Sequence, residues 1–169
     1  GEKMWDQIKR EFDGYHAQEK VARLLLERGL SVKRGRVFCG RIEQSYSALA
    51  AVSGTDRRAV KSTISRINGS KKLAPIFSNL TPICSFKNIA KLMKWGMVEI
   101  LPRDVTGPGI IAGVTAIIAD EGISIRQIIA DDPELNENPR AFIITERPIP
   151  PRLLPRIKNV DGVDAVVIH

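Results

Sequence analysis

Between Met97 and Ile168 the hydrophobic period changes repeatedly, and this alternation restricts the possible folds more than any other feature of the chain. Met97-Val98-Glu99-Ile100-Leu101 reads as a strand over about 97–102. Ile110, Ile111, Val114, Ile117 and Ile118 then recur at spacings of three and four, which marks one helical face over about 109–121. Gly122 ends that helix, and Ile123 to Ala130 is a strand. Asp131 to Pro139 is a polar turn, and Arg140 to Glu146 is another strand. Pro150 opens a helix to Ile157, at a position where its missing N–H costs nothing. Val160-Asp161-Gly162 turns the chain into a last strand, Val163 to Ile168. The order β-α-β-β-α-β is the split βαβ of ferredoxin-like domains, complete in about 70 residues.

The segment Asp104-Val105-Thr106-Gly107-Pro108-Gly109-Ile110-Ile111 joins the first of these strands to the first helix. It brings two glycines and an acid to a helix N-terminus. The first N–H groups of a helix have no partner within it, and the helix dipole favours an anion there. Glycine lets a ligand approach the backbone, so this loop can hold a carboxylate or a phosphate. Gly and Pro also serve turn chemistry alone, and the loop by itself leaves both readings open.

Charge divides the chain. Residues 1–94 hold 19 Lys+Arg against 8 Asp+Glu, a net +11, and residues 95–169 hold 7 against 11, a net −4. A basic half joined to an acidic half points to two modules, 1–94 and 95–169, with different partners. The overall class is therefore α+β, with a mainly helical N-terminal domain followed by the ferredoxin-like one. At 43% hydrophobic and 27% charged residues the chain is globular rather than disordered. No apolar run approaches the roughly 20 residues that span a bilayer.

In the basic half, Trp5, Ile8 and Phe12 recur at helical spacing, and a second helix runs from about Ala17 to Arg28, stopped by Gly29. Two short runs around Lys33-Arg34-Gly35 suggest a small hairpin or extended loop. Ile42 to Val52 reads as a helix broken by Ser53-Gly54-Thr55, with Thr55 as the N-cap of the next helix. That next helix buries Val60, Ile64 and Ile67 and stops at Asn68-Gly69. Small Ala50, permissive Gly54 and apolar Val60 have the spacing of a helix-turn-helix. Beside Thr55, the exposed side of the second helix carries Arg57, Arg58, Lys61, Ser62, Ser65 and Arg66, which can reach phosphates and base edges. The bland reading is a three-helix domain with a basic solvent face. Leu73 to Leu80 reads as irregular, and Phe86, Ile89, Ala90 and Met93 as a connecting helix.

Little suggests an enzyme. His16 and His169 are far apart, and there is no Cys/His cluster, complete phosphate loop or nucleophile motif. No catalytic residue, metal or cofactor is expected. Cys39 and Cys84 are too few for a disulfide framework and read as buried thiols. With a charged, amphipathic start and no signal-peptide pattern, a cytoplasmic location is expected.

The loop residues Asp104 and Gly109, the Ile-rich helix after them, and Glu121-Gly122-Ile123-Ser124-Ile125 together resemble an ACT domain, the small-molecule-sensing module of many proteins of amino-acid metabolism. Ser124-Ile125-Arg126-Gln127, Asp131-Asp132-Pro133-Glu134-Leu135 and Ile143-Ile144-Thr145-Glu146-Arg147-Pro148-Ile149-Pro150 extend the likeness. With the turn Gly54-Thr55-Asp56-Arg57-Arg58, nearly the whole chain is similar to an archaeal family of predicted amino-acid-metabolism regulators containing an ACT domain.

The resemblance implies a homodimer paired through the strand Ile123 to Ala130, with an amino acid between subunits. Its carboxylate would meet N–H groups near Gly107 and Gly109, beside Ile110, and its ammonium would meet Asp104 or carbonyls of the partner strand. Arg126 and Gln127 would face ligand or interface. The loop is two residues longer than in many ACT domains, so Thr106 or Gly107 is the alternative to Asp104 as a lining residue. The expected function is a dimeric, amino-acid-responsive DNA-binding transcriptional regulator. The alternative is a regulator that senses an amino acid and docks on an enzyme or RNA without binding DNA.

Overall fold

A computed structural model describes all residues, Gly1–His169. The chain forms two compact units, Gly1–Cys84 and Ser85–His169. No helix is long and apolar enough to cross a membrane.

The first unit contains α1 (Met4–Lys9), α2 (His16–Arg28), β1 (Ser31–Lys33), β2 (Arg36–Cys39), β3 (Ile42–Gln44), α3 (Tyr46–Ser53), α4 (Arg57–Gly69) and α5 (Leu73–Ser78). Its core joins Ile8 and Phe12 to Val21 and Leu25 of α2, Val32 and Val37 of the strands, and Val60, Ile64 and Ile67 of α4. Gly29 ends α2 in the left-handed region, at φ 63°. A Cβ there would also lie 2.5 Å from the Thr81 carbonyl oxygen, so glycine is required on two counts. Buried Ala50 and fully buried Val60 lie on consecutive helices joined through Gly54 at φ 66°, as the helix-turn-helix spacing requires.

Four local expectations are corrected. Ile42–Gln44 is a third strand, antiparallel to β2, rather than the start of a helix. The Ser45 hydroxyl accepts the Ala48 N–H at 3.1 Å and so starts α3 at Tyr46. Asp56, not Thr55, caps α4: its Oδ1 accepts the Ala59 N–H at 2.8 Å, while the Thr55 hydroxyl pairs with Ser53 at 2.8 Å. The irregular segment expected over Leu73 to Leu80 contains α5, which accommodates Pro75 in its first turn, where no backbone donor is needed. Phe86 to Met93 is not a helix but a series of turns, closed by Ala90 N–H to Phe86 C=O and Met93 N–H to Ile89 C=O.

The second unit contains β4 (Gly96–Pro102), α6 (Ile110–Asp120), β5 (Ile125–Ala130), β6 (Ala141–Thr145), α7 (Leu154–Lys158) and β7 (Val163–Ile168). The sheet order is β5-β6-β4-β7, and every neighbouring pair is antiparallel. This is the ferredoxin-like arrangement. Val98, Ile100 and Ile143 of the sheet pack with Ile110, Val114 and Ile118 of α6 and with Leu153 and Ile157. A Cβ on Gly113 of α6 would meet Val160 Cγ1 at 2.6 Å, so the helix requires glycine where the α7 turn crosses it.

Residues 85–94 belong to this unit, which moves the boundary ten residues toward the N-terminus from the one expected. The reason is packing against the sheet. The Phe86 N–H donates to Gln127 Oε1 at 2.9 Å, the Phe86 and Trp95 rings meet edge to face at 5.8 Å, and Lys87 Nζ lies 4.0 Å from the centre of the Phe142 ring. Cys84 is exposed and Cys39 half-buried, against the expectation of two buried thiols.

Because Asp56 carries the α4 cap, Asp56→Ala will destabilise the first unit by about 1 kcal/mol, and Asp56→Asn by much less, since Asn caps nearly as well. Urea unfolding of the full chain monitored by helical circular dichroism measures both.

Candidate functional site

The second unit holds a cavity of about 200 Å³ at one end of its sheet. One wall is the loop from β4 and the first turn of α6: Val105, Gly107, Gly109, Ile110, Ile111 and Ala112. The opposite wall is the turn after β5, with Asp131, Pro133 and Pro139. The floor is a row across three strands, Ile100, Ala141 and Ala130, which the ladder places side by side. The next row is Val98, Ile143 and Ile128. The space exists because two of the three floor positions are alanine where the neighbouring row has branched side chains.

The polar groups around this cavity are few. Gly109 occupies the α6 N-cap at φ 97° and supplies no side-chain cap. The N–H groups of Ile110, Ile111 and Ala112 therefore lack an intrahelical acceptor beside the cavity, and the helix dipole makes this wall receptive to an anion. On the other side, Asp131 Oδ2 accepts the Arg140 N–H at 3.2 Å, while the Asp131 N–H donates to the Arg140 carbonyl at 2.9 Å. The arrangement offers donors on one wall, a carboxylate on the other and an apolar floor between them.

Of the expected ligand-site residues, Gly107, Gly109 and Ile110 line this cavity. Asp104 and Thr106 do not. Asp104 Oδ1 accepts both the Thr106 N–H at 2.9 Å and the Thr106 hydroxyl at 2.7 Å, so the pair closes its own turn. The hydroxyl first and the N–H second hold the Asp104 carboxyl below its ordinary range. The two extra loop residues are used in this local turn. Arg126 and Gln127 also lie away from the cavity. The Arg126 guanidinium stacks 3.9 Å from the centre of the Trp95 ring, and Gln127 accepts from Phe86. Asp131 was legible in the sequence only as a turn residue; pairing of its neighbours Ala130 and Ala141 is what turns it into a wall.

Sequence reasoning also missed a charged cluster on the sheet face away from α6. Glu99 is buried, accepts a short hydrogen bond from Arg140 Nη1 and lies 2.9 Å from His169 Nε2. The Arg140 bond first and the His169 bond second hold the Glu99 carboxyl below the ordinary carboxylate range, against the opposing effect of burial.

In the first unit, Arg57, Arg58, Lys61, Ser62 and Ser65 are exposed along α4, and Thr55 is half-buried just before it. Arg66 is used internally: its Nε donates to Gln18 Oε1 at 2.9 Å, its Nη1 to the Glu11 carbonyl at 3.3 Å, and its guanidinium lies 4.3 Å from the centre of the Tyr15 ring. It belongs to the packing of α4 on α2 rather than to the open basic face.

The lowered Glu99 pKa sets the sign of a pH effect. A carboxyl whose folded pKa lies below its unfolded value contributes stability that is complete above the unfolded pKa and is lost as pH falls through the folded one. Glu99→Gln will therefore be less stable than the native chain by about 1–3 kcal/mol at neutral pH. The gap will close as pH falls below about 4, the ordinary carboxylate range. Urea midpoints across that range measure it.

No protein-family model and no curated protein matches the chain. Among solved structures it is similar to the crystal structure of PH0061, at 13% identity over 90% of this chain and 88% of that one, with a TM-score of 0.29. It is also similar to the Mycobacterium tuberculosis leucine response regulatory protein LrpA, at 18% identity over 90% of each chain, with a TM-score of 0.27.

Proposed function

We propose that the chain is an amino-acid-responsive regulator whose second unit binds a small effector, as an ACT sensor does, and whose first unit binds duplex DNA. The observation that carries the proposal is the cavity, with an uncapped helix start and a carboxylate on opposite walls. An α-amino acid has the complementary groups. Its carboxylate accepts from the N–H groups of the first turn of α6, and its ammonium donates to Asp131 rather than Asp104. Its side chain lies over Ile100, Ala130 and Ala141, which favours a small aliphatic group in about 200 Å³.

The DNA half rests on α4. Arg57, Arg58 and Lys61 are exposed on a helix joined to α3 by a tight left-handed turn, and no acid lies within ion-pair distance of any of them. Such a face suits phosphate contacts and base-edge contacts in a major groove. The regulator acts as a homodimer through the outer side of β5, an edge strand with Ile128 exposed. Two copies then present two helices to a symmetric site, and the effector shifts DNA affinity by its own preference between the bound and free forms.

Thermal shift with each of the twenty amino acids tests the sensor. A bound ligand at a hundredfold excess over its dissociation constant adds about 2.7 kcal/mol of apparent stability. One or more aliphatic amino acids will raise the midpoint of the native chain, and Ala141→Phe, which fills the cavity floor, will abolish the rise. No shift with any amino acid would sink the sensor reading.

Fluorescence anisotropy with mixed duplexes at moderate salt tests the other half. Arg57→Ala with Arg58→Ala will weaken binding by about 1–3 kcal/mol or more. Binding unaffected by those changes, together with recovery of a biosynthetic enzyme or RNA as the partner of the basic unit, would replace the DNA reading with the docking one.

A further inference from the structure

The hairpin between β1 and β2 closes on two residues, Arg34 and Gly35, with Lys33 paired opposite Arg36. Both loop residues have positive φ, 51° and 73°. A two-residue hairpin loop with positive φ at both positions is the kind that Asn-Gly or Asp-Gly forms most readily. A long side chain gains nothing sterically from the left-handed region, where short Asn and Asp are tolerated. Arg34 is one of only two non-glycine residues in the chain with positive φ. Backbone strain held at an exposed tip is a sign that the side chain serves something besides the fold.

The surroundings of the tip agree. Lys33, Arg34, Arg36 and Phe38 line an open concavity of about 630 Å³. Lys33, Arg36 and Phe38 share one face of the small sheet, while Val32 and Val37 are buried on the other. Like charges directly opposite in a ladder are destabilising, and only Arg36 has an acidic neighbour, Glu43 at 3.6 Å. Lys33 and Arg34 form no ion pair. The fold keeps three cations together at its own expense, and a polyanion is the partner that would offset the repulsion.

The tip is also fixed in place. The Tyr46 hydroxyl donates to the Gly35 carbonyl at 2.7 Å, and the Gly35 N–H donates to Asn68 Oδ1 at 3.3 Å. Tyr46 opens α3, and Asn68 lies in the last turn of α4. Lys61, Ser65 and Asn68 form an exposed stripe at i, i+4 and i+7, so the hairpin tip continues the basic face of α4 past its C-terminal end.

From this we infer that the hairpin tip Lys33-Arg34-Gly35-Arg36 is a second phosphate-binding site for the same duplex that α4 contacts. The cations take backbone phosphates beyond the end of α4, and Phe38 forms an apolar wall against the sugar. The inference rests on the DNA reading of the first unit, and its test separates the two.

The experiment measures anisotropy of the full chain with a labelled mixed-sequence duplex across about 50–200 mM salt. The test variant is Lys33→Gln with Arg34→Asn, because Asn tolerates the left-handed position and preserves the turn. The variant is expected to melt no lower than the native chain. Each phosphate contact contributes about 0.9 to the slope of log affinity against log salt, so the slope falls by about 1.8. Affinity drops roughly tenfold, equally on every duplex sequence.

If the variant melts lower, Arg34→Asn alone is read instead, with an expected loss of about 0.9 in slope. A native slope in the hairpin variant, while Arg57→Ala with Arg58→Ala weakens binding, overturns the hairpin site and leaves the DNA reading standing. Weaker affinity with an unchanged slope overturns the phosphate assignment as well. No binding of the native chain to any duplex, or preference for RNA, removes both.

Discussion

Pairing of β4 with β6 on one side and β7 on the other is the constraint on which the second unit rests. A strand hydrogen-bonded on both edges cannot shift without breaking two ladders, and its side chains alternate between the two faces of the sheet. Val98 and Ile100 are turned toward α6, and Glu99 is turned away, where Arg140 and His169 receive it. A slip of one residue would place the Glu99 carboxylate beneath the helix and Val98 on the other face. The cavity depends on the same register. Ile100 meets Ala141, and Ala141 meets Ala130, so two small side chains fall together beside the uncapped start of α6.

The first unit sorts its cations into two groups, a distinction that net charge cannot make. Arg23 pairs with Glu27 and lies over Trp5, Arg66 ties α4 to Gln18 and Glu11, and Lys72 reaches Gln7 and Glu11. These stabilise contacts among the helices. Arg57, Arg58 and Lys61 on α4, with Lys33 and Arg34 on the hairpin, have no such use within the fold. Only the second group forms a candidate surface for a polyanion. Net charge counts every cation of either group alike, which is why composition overstates the number of cations available to a partner.

The candidate site was only partly legible in the chain. Gly107, Gly109 and Ile110 could be placed because a glycine-rich loop entering an apolar helix has few other arrangements. Asp104 could not, because its partner Thr106 is two residues away and competes locally for the carboxylate. Arg126 and Gln127 occupy the expected strand, but Arg126 stacks on Trp95 and Gln127 accepts from Phe86, which lies in the segment 85–94 that the charge division places with the other unit. Asp131 and the Glu99 cluster were missed because their partners lie nine, 41 and 70 residues away in sequence. The local misreadings have similar causes. A Ser N-cap shortened α3, Asp56 outcompeted its neighbour Thr55, and Pro75 fell where a helix tolerates it.

By itself the sequence determined the order of strands and helices and so the βαββαβ topology of the second unit from Gly96 onward, and the helix-turn-helix spacing of the first. Periodicity and glycines act over a few residues, and in these elements they agree with the packing that follows. Tertiary structure alone decided which polar groups face a cavity, which cations are used within the fold and to which unit the segment 85–94 belongs. Those outcomes depend on ladder register and on contacts between residues distant in the chain, and neither is encoded in any local window.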